Sequence, residues 1–222
     1  MSRVHILVEG QSEETFVNEI LSPHLNQMGI YPHAFLFRKK GGSFRYEKCQ
    51  QVILSALKQD RSVYITTLVD FYGMPEDWPG RMESHSCRNY QDKAQRVEQA
   101  LSEDIVAQMS DSWNRAQFIP YVQMHEFEAL LFSNTSKLAE RAKEPAKISA
   151  QLKNVLQSFS CPEEINDNYN TCPSRRIKQH IAYYVKTVDG IIAARKIGLE
   201  TMRQECPHFN EWITKLEVIG NQ

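Results

Sequence analysis

Val4-His5-Ile6-Leu7-Val8-Glu9-Gly10-Gln11-Ser12-Glu13-Glu14 opens the chain as a short apolar strand running into an acid, a glycine and the start of a helix. Apolar residues then recur at Phe16, Val17, Ile20, Leu21, Leu25 and Met28 before Gly29, the three-to-four spacing that lays one helical stripe on a sheet. Ligands of open α/β sheets gather outside the carboxyl ends of the strands, so Glu9 is placed for chemistry. The run Val63-Tyr64-Ile65-Thr66-Thr67-Leu68-Val69-Asp70 repeats the pattern of an apolar strand ending in a carboxylate. Two strand-end acids predict one shared site.

Working outward, a strand is expected over Tyr31 to Arg38, followed by a helix with Cys49, Val52, Ile53, Ala56 and Leu57 on one face. Alternating strands and helices imply parallel strands joined by right-handed crossovers. The loop from Tyr72 to Tyr90 holds Gly73, Pro75, Pro79 and Gly80 and exceeds ordinary connections, which marks it as functional or mobile and able to cover a site. Ala94, Val97, Leu101, Ile105 and Met109 predict a further helix, and Gln117 to Gln123 a fourth strand running into His125-Glu126-Phe127-Glu128. Beyond residue 133 the pattern is helical and polar, with a loop from Ser160 to Pro173 and helices over 174–187, 189–205 and 208–218. The expected fold class is therefore α/β, a Rossmann-like, mostly parallel sheet of about four strands flanked by helices, with residues 1–133 as the α/β domain and 134–222 as a helical C-terminal extension packed on it.

The length allows a sizeable core without covalent staples. A net charge of -1, from 26 basic and 27 acidic residues, excludes a binder driven by a basic tail, so any nucleic-acid contact must come from local patches. Five scattered cysteines with no CxxC pair argue against a disulfide framework and a zinc ribbon and favour a reducing, cytoplasmic setting. The early acid leaves no room for a signal-peptide core, and no apolar run approaches the roughly 20 residues of a membrane span.

Hard oxygen ligands suit Mg²⁺ or Mn²⁺, and Glu9, Asp70 and either Glu126 or Glu128 are the candidate donors. The plainer reading is that each acid caps a following helix, with Ser12 as N-cap ahead of Glu13 and Glu14. That reading is weaker for Glu9 and Asp70, because a carboxylate joined to a buried strand must be paired, hydrated or metal-bound to offset its desolvation. His125-Glu126 is no zinc-protease motif, since Ala129 stands where the second histidine belongs. Neither a P-loop, a GxGxxG nor a GxSxG elbow occurs.

Arg38-Lys39-Lys40-Gly41-Gly42-Ser43-Phe44-Arg45 joins four cations to a glycine pair, which suits a phosphate backbone or, more plainly, a solvated loop. Ser174-Arg175-Arg176-Ile177-Lys178 places cations in a first helical turn, where the macrodipole disfavours them, so a phosphate or a nearby acid should compensate. Lys186, eight residues after Lys178, is expected to face the same way. Cys206-Pro207-His208 lacks a second ligand pair and, with Phe209, Trp212 and Leu216, reads as core.

Val8-Glu9-Gly10-Gln11-Ser12-Glu13-Glu14, Asp70-Phe71-Tyr72-Gly73, His125 to Phe132, Pro173-Ser174-Arg175-Arg176 and Cys206 to Trp212 together resemble an uncharacterised bacterial family with a Toprim-like fold. The resemblance extends over nearly the whole chain and to the Toprim nuclease domains of overcoming-lysogenisation-defect type proteins. It implies that Glu9 and Glu13 correspond to the two acids of an EGxxE pattern and Asp70 to the first acid of a DxD pair. Tyr72 stands where the second aspartate belongs, so a two-metal site would need Glu126 or Glu128 instead. The resemblance also implies Mg²⁺-dependent phosphodiester cleavage, DNA or RNA as partner, and a separate ATPase of ABC or AAA type in a defence system. The expected function is thus a metal-dependent nuclease, with Glu9, Glu13, Asp70, Glu126 and Glu128 at the site and Arg38, Lys39, Lys40, Arg45, Arg175, Arg176 and Lys178 meeting phosphate. The alternatives are a non-catalytic module that binds nucleic acid or an ATPase, and phosphoryl or nucleotidyl transfer to a small substrate.

Overall fold

The computed structural model describes residues 1–36, 45–166 and 168–221. Strand β1 (Ser2–Val8) buries Val4, Ile6, Leu7 and Val8 and lies between β2 (Ile30–Leu36) and β3 (Val63–Asp70). Short β4 (Phe118–Ile119) and β5 (Val122–Gln123) both pair with β3, and every pairing is parallel. The α/β expectation holds: a mostly parallel sheet, ordered β2-β1-β3-β4 with β5 beside the end of β3, carries helices on both faces and a C-terminal helical extension. It is consistent with a Rossmann- or Toprim-like fold.

Alternation in the strands divides the core in two. On one face Val4, Ile6, Val8 and Leu68 meet Phe16, Val17, Leu21 and Leu25 of the first helical stretch. That stretch is α1 (Gln11–Phe16), a π turn over Val17–Leu21 and α2 (Ser22–Asn26). The same face takes the later helices α5 (Thr135–Ala139), α6 (Pro145–Leu156), α7 (Pro173–His180), α8 (Ile191–Ile197), α9 (Leu199–Glu205) and α10 (Pro207–Val218). On the other face Leu7, Val63, Ile65 and Val69 pack on α3 (Tyr46–Gln59) and α4 (Tyr90–Gln108). Among the described residues no helix is long and apolar enough to cross a membrane, and no disulfide forms.

Several expectations need correction. The fourth strand is broken into β4 and β5 by Pro120, whose missing N–H cannot join a ladder. Gly10, not Ser12, is the N-cap of α1, with no side-chain hydrogen bond to the helix end. The helix expected over 174–187 stops at His180, and the next is interrupted at Gly198, whose φ of +80° belongs to glycine. The long loop after Asp70 is not loose: Phe71, Met74 and Trp78 are buried with the α3/α4 core, and Asp77 accepts from the Tyr46 N–H at 3.2 Å.

Candidate active site

The carboxyl end of β1 delivers Glu9, and the first turn of α1 delivers Glu13, which is 8 % exposed. Asp70 closes β3, the neighbour of β1. Glu126 and Glu128 follow β5, where the chain enters a 3-10 turn over Phe127–Asn134. Asp70 accepts from the Phe127 N–H at 2.9 Å, tying that turn to the end of β3. Register does the positioning: strand ends on one edge converge because parallel pairing aligns them.

Lys186 stands among these acids. Its Nζ lies 2.9 Å from Glu128 Oε2 and 3.2 Å from Glu126 Oε1. Sequence reasoning placed Lys186 beside Lys178, but α7 ends six residues before it, and the turn that follows carries it inward. No local signal shows this, because its partners are 58 and 60 residues away.

The electrostatics are those of a site with too much negative charge. Burial, then Glu13 and Glu9, push the Asp70 carboxyl well above the usual range, while Lys186 opposes the shift. Burial also raises Glu13, with Glu9 adding to it. Glu128 is pushed up to about 7, first by burial and then by Glu126 and Glu13, against Lys186. Desolvation alone would lower Lys186, yet Glu128, Glu126 and Asp70 hold its ammonium above the ordinary value. Among the described residues Lys186 acts on four carboxylates, Glu13, Asp70, Glu126 and Glu128, and Glu9 adds its charge to Glu13 and Asp70.

Glu126 has a second task. Its Oε2 accepts from the Ser174 N–H at 2.8 Å and its Oε1 from the Ser174 hydroxyl at 3.0 Å, so it caps α7. This is the acid that compensates the cations of that first turn. Arg175 lies over the Tyr169 ring at 4.3 Å and donates to its hydroxyl at 2.6 Å, while Arg176 donates to the Thr171 carbonyl at 2.8 Å. Lys178 is exposed on α7, and Arg45 is exposed just ahead of α3. Arg38, Lys39 and Lys40 lie outside the described residues. Tyr72, at the DxD position, donates its N–H to the His125 carbonyl at 2.7 Å.

The donor chemistry fits a divalent cation: hard carboxylate oxygens gathered at the strand ends, where burial and mutual repulsion raise Asp70 and Glu13. As the side chains stand, no group of three His, Cys, Asp or Glu among the described residues is arranged to hold a metal ion. Comparison with curated proteins and with solved structures finds no match. A family model does match residues 8–217, from the end of β1 into α10. The chain therefore belongs to the family described as a domain of unknown function (DUF4276).

Proposed function

We propose that the protein is a Mg²⁺- or Mn²⁺-dependent phosphodiester hydrolase acting on nucleic acid, with Glu9, Glu13 and Asp70 holding the metal and Glu126 and Glu128 holding Lys186 beside it. The observation that supports this reading is the gathering of Glu13, Asp70, Glu126 and Glu128 around Lys186, with Glu9 beside Glu13 and Asp70, at the carboxyl end of the sheet. A structural cluster has no use for unbalanced buried charge, which costs stability, whereas a cation site needs it.

When bound, the metal lowers the pKa of a water for attack on phosphorus and stabilises the leaving oxygen. Lys186, oriented by Glu126 and Glu128, neutralises a non-bridging phosphate oxygen. Asp70 is fixed by the Phe127 N–H, which leaves its second oxygen to face the site. Glu13, beside Glu9 and Asp70, would complete and orient the metal's shell, and the proton of the attacking water passes to solvent as the new P–O bond forms and the old one breaks. Arg175 and Arg176, in the first turn of α7 that Glu126 caps, flank the path of the strand. Control by a separate ATPase of ABC or AAA type belongs to the same proposal, as does a cytoplasmic setting.

One observation favours the rival, a non-catalytic module that binds nucleic acid or an ATPase: no described trio of acids stands ready to ligate. The experiment that separates them is cleavage of single- and double-stranded DNA and RNA with Mg²⁺ or Mn²⁺, by wild type and Asp70→Asn. Metal-dependent cleavage lost in a folded Asp70→Asn variant supports the hydrolase. Equal cleavage by the two proteins overturns the assignment, and binding without cleavage in every arm selects the module.

A further inference from the structure

A cleft of about 700 Å³ opens between α5, α8 and the turn that carries Lys186. That size is typical of small-molecule sites. Leu138, Ile148 and Ile192 give it an apolar interior, and Val188, half exposed, an apolar mouth. Its rim is cationic, with Lys137, Arg141, Lys143 and Lys196 set against Glu144 and Asp189. Arg141 pairs with Asp189 at 2.9 Å, Lys196 with Glu140 at 2.8 Å, and Glu144 with Lys147 at 3.0 Å. Lys137 and Lys143 form no ion pair among the described residues, so two exposed cations remain to meet a ligand.

Tyr184 is a second, independent observation. It lines the cleft, is only 5 % exposed, and its buried hydroxyl has no hydrogen-bond partner among the described residues. A Cβ at Gly190 would lie 2.7 Å from that hydroxyl, so glycine is required for the ring to sit there. Burial first, and then the charges of Glu128, Asp189 and Glu126, act on that hydroxyl, so the residue that lines the cleft also lies within the field of the carboxylates. Tyr183, Val185, Val188 and Asp189 also line the cleft, while Lys186 between them turns to Glu126 and Glu128.

We propose that this cleft binds a nucleotide, phosphates on the Lys137–Arg141–Lys143 rim and base on the apolar interior, and that its occupancy is transmitted to the turn holding Lys186. Guanidinium and ammonium groups suit phosphate oxygens, and the interior is too apolar for a bare polyanion. Asp189 links the two places: one oxygen pairs with Arg141, and the other accepts from the Val185 N–H at 2.9 Å. A phosphate competing for Arg141 therefore alters the support of the residue next to Lys186. The ligand site stands without the hydrolase reading, on which only the catalytic consequence rests.

The test is calorimetric titration of the full chain with the four ribonucleoside triphosphates, and with tripolyphosphate as the baseless control, in chelator so that the acidic site attracts none of them. At least one nucleotide should bind about tenfold or more tightly than tripolyphosphate, and Lys137→Glu/Lys143→Glu should weaken it by about tenfold, the loss of one or two charge-assisted hydrogen bonds. Val188→Glu, at the half-exposed mouth of the cleft, should do the same, and Lys58→Glu, exposed on α3 across the sheet, should not. Bound nucleotide should also change amide exchange across Val185–Gly190. No heat from any nucleotide, affinity equal to tripolyphosphate, indifference to the rim variants, or unchanged exchange in that turn each overturns the proposal. Cleavage activity is not a readout, so failure here leaves the hydrolase assignment standing and the converse also holds.

Discussion

Glu126 and Glu163 perform the same local task in two parts of the molecule and keep very different company. Each is a buried glutamate that caps a helix beginning Cys-Pro: Glu126 takes the Ser174 N–H and hydroxyl of α7, and Glu163 takes the His208 and Phe209 N–H groups of α10 at 2.9 and 3.0 Å. Around Glu163 one imidazole, that of His208, stands between two carboxylates and is covered by aromatic rings. His208 Nε2 lies 2.9 Å from Glu98, its ring stacks on Tyr121 at 4.9 Å, and Tyr121 stacks on Trp212 at 4.4 Å. Around Glu126, Lys186 is the cation shared by the acids among the described residues, and those acids lie at or just beyond strand ends. Both clusters hold more acid than base; stacked rings cover the first, whereas the second lies at the carboxyl ends of the strands, where the proposed function puts the metal.

The comparison breaks first at Trp212. Trp212→Ala removes a fully buried ring and its 2.8 Å hydrogen bond to Thr66, and should cost about 3–5 kcal/mol in urea denaturation. A small loss would mean that the covered cluster is not a structural keystone. Asp70→Asn is the opposite case. It keeps an acceptor for the Phe127 N–H and relieves repulsion, so it should lower metal-dependent cleavage by at least about a hundredfold while the midpoint of thermal unfolding stays the same or rises. A falling midpoint would make Asp70 structural.

Lys186→Met should destabilise the fold by about 1–3 kcal/mol, because Glu126 and Glu128 lose a shared charged donor, and adding Glu128→Gln should restore part of the loss. Additive effects of the two changes would show that the lysine does not balance the acids. The smallest effect concerns pH. Burial lifts the Glu163 carboxyl to about 7 from an ordinary 4.5, against the opposing pull of His208. Between those values the folded protein holds a proton that the unfolded chain releases, so this contribution to stability is complete below about 4.5 and fades as pH rises through about 7. Glu163→Gln should flatten the stability profile over that window, and a profile as steep as wild type would assign the dependence elsewhere.

Much of the frame was legible in the residues. The apolar runs ending at Glu9 and Asp70 and the stripe from Phe16 to Leu25 are local signals, since strand and helix periods act over a few residues. Boundaries were less legible: Pro120 divides the fourth strand, and Gly198 divides a helix that periodicity ran together. The bland expectation for Phe209, Trp212 and Leu216 as core agrees with their burial. Cys206 and His208 are buried with them, and what no local pattern shows is that Glu98, 110 residues away, supplies the polar partner of His208.

The sequence by itself determined the alternation of strand and helix, the acids at the strand ends and the lack of a nucleotide-binding loop motif, because each is written within a short window. Only the tertiary structure decided that Glu126 caps α7, that Lys186 turns away from Lys178 into the carboxylates, and that Lys137 and Lys143 rim a cleft behind the same turn. Those pairings join residues distant in the chain, and side-chain electrostatics depends on distance through space and burial, neither of which any local pattern records.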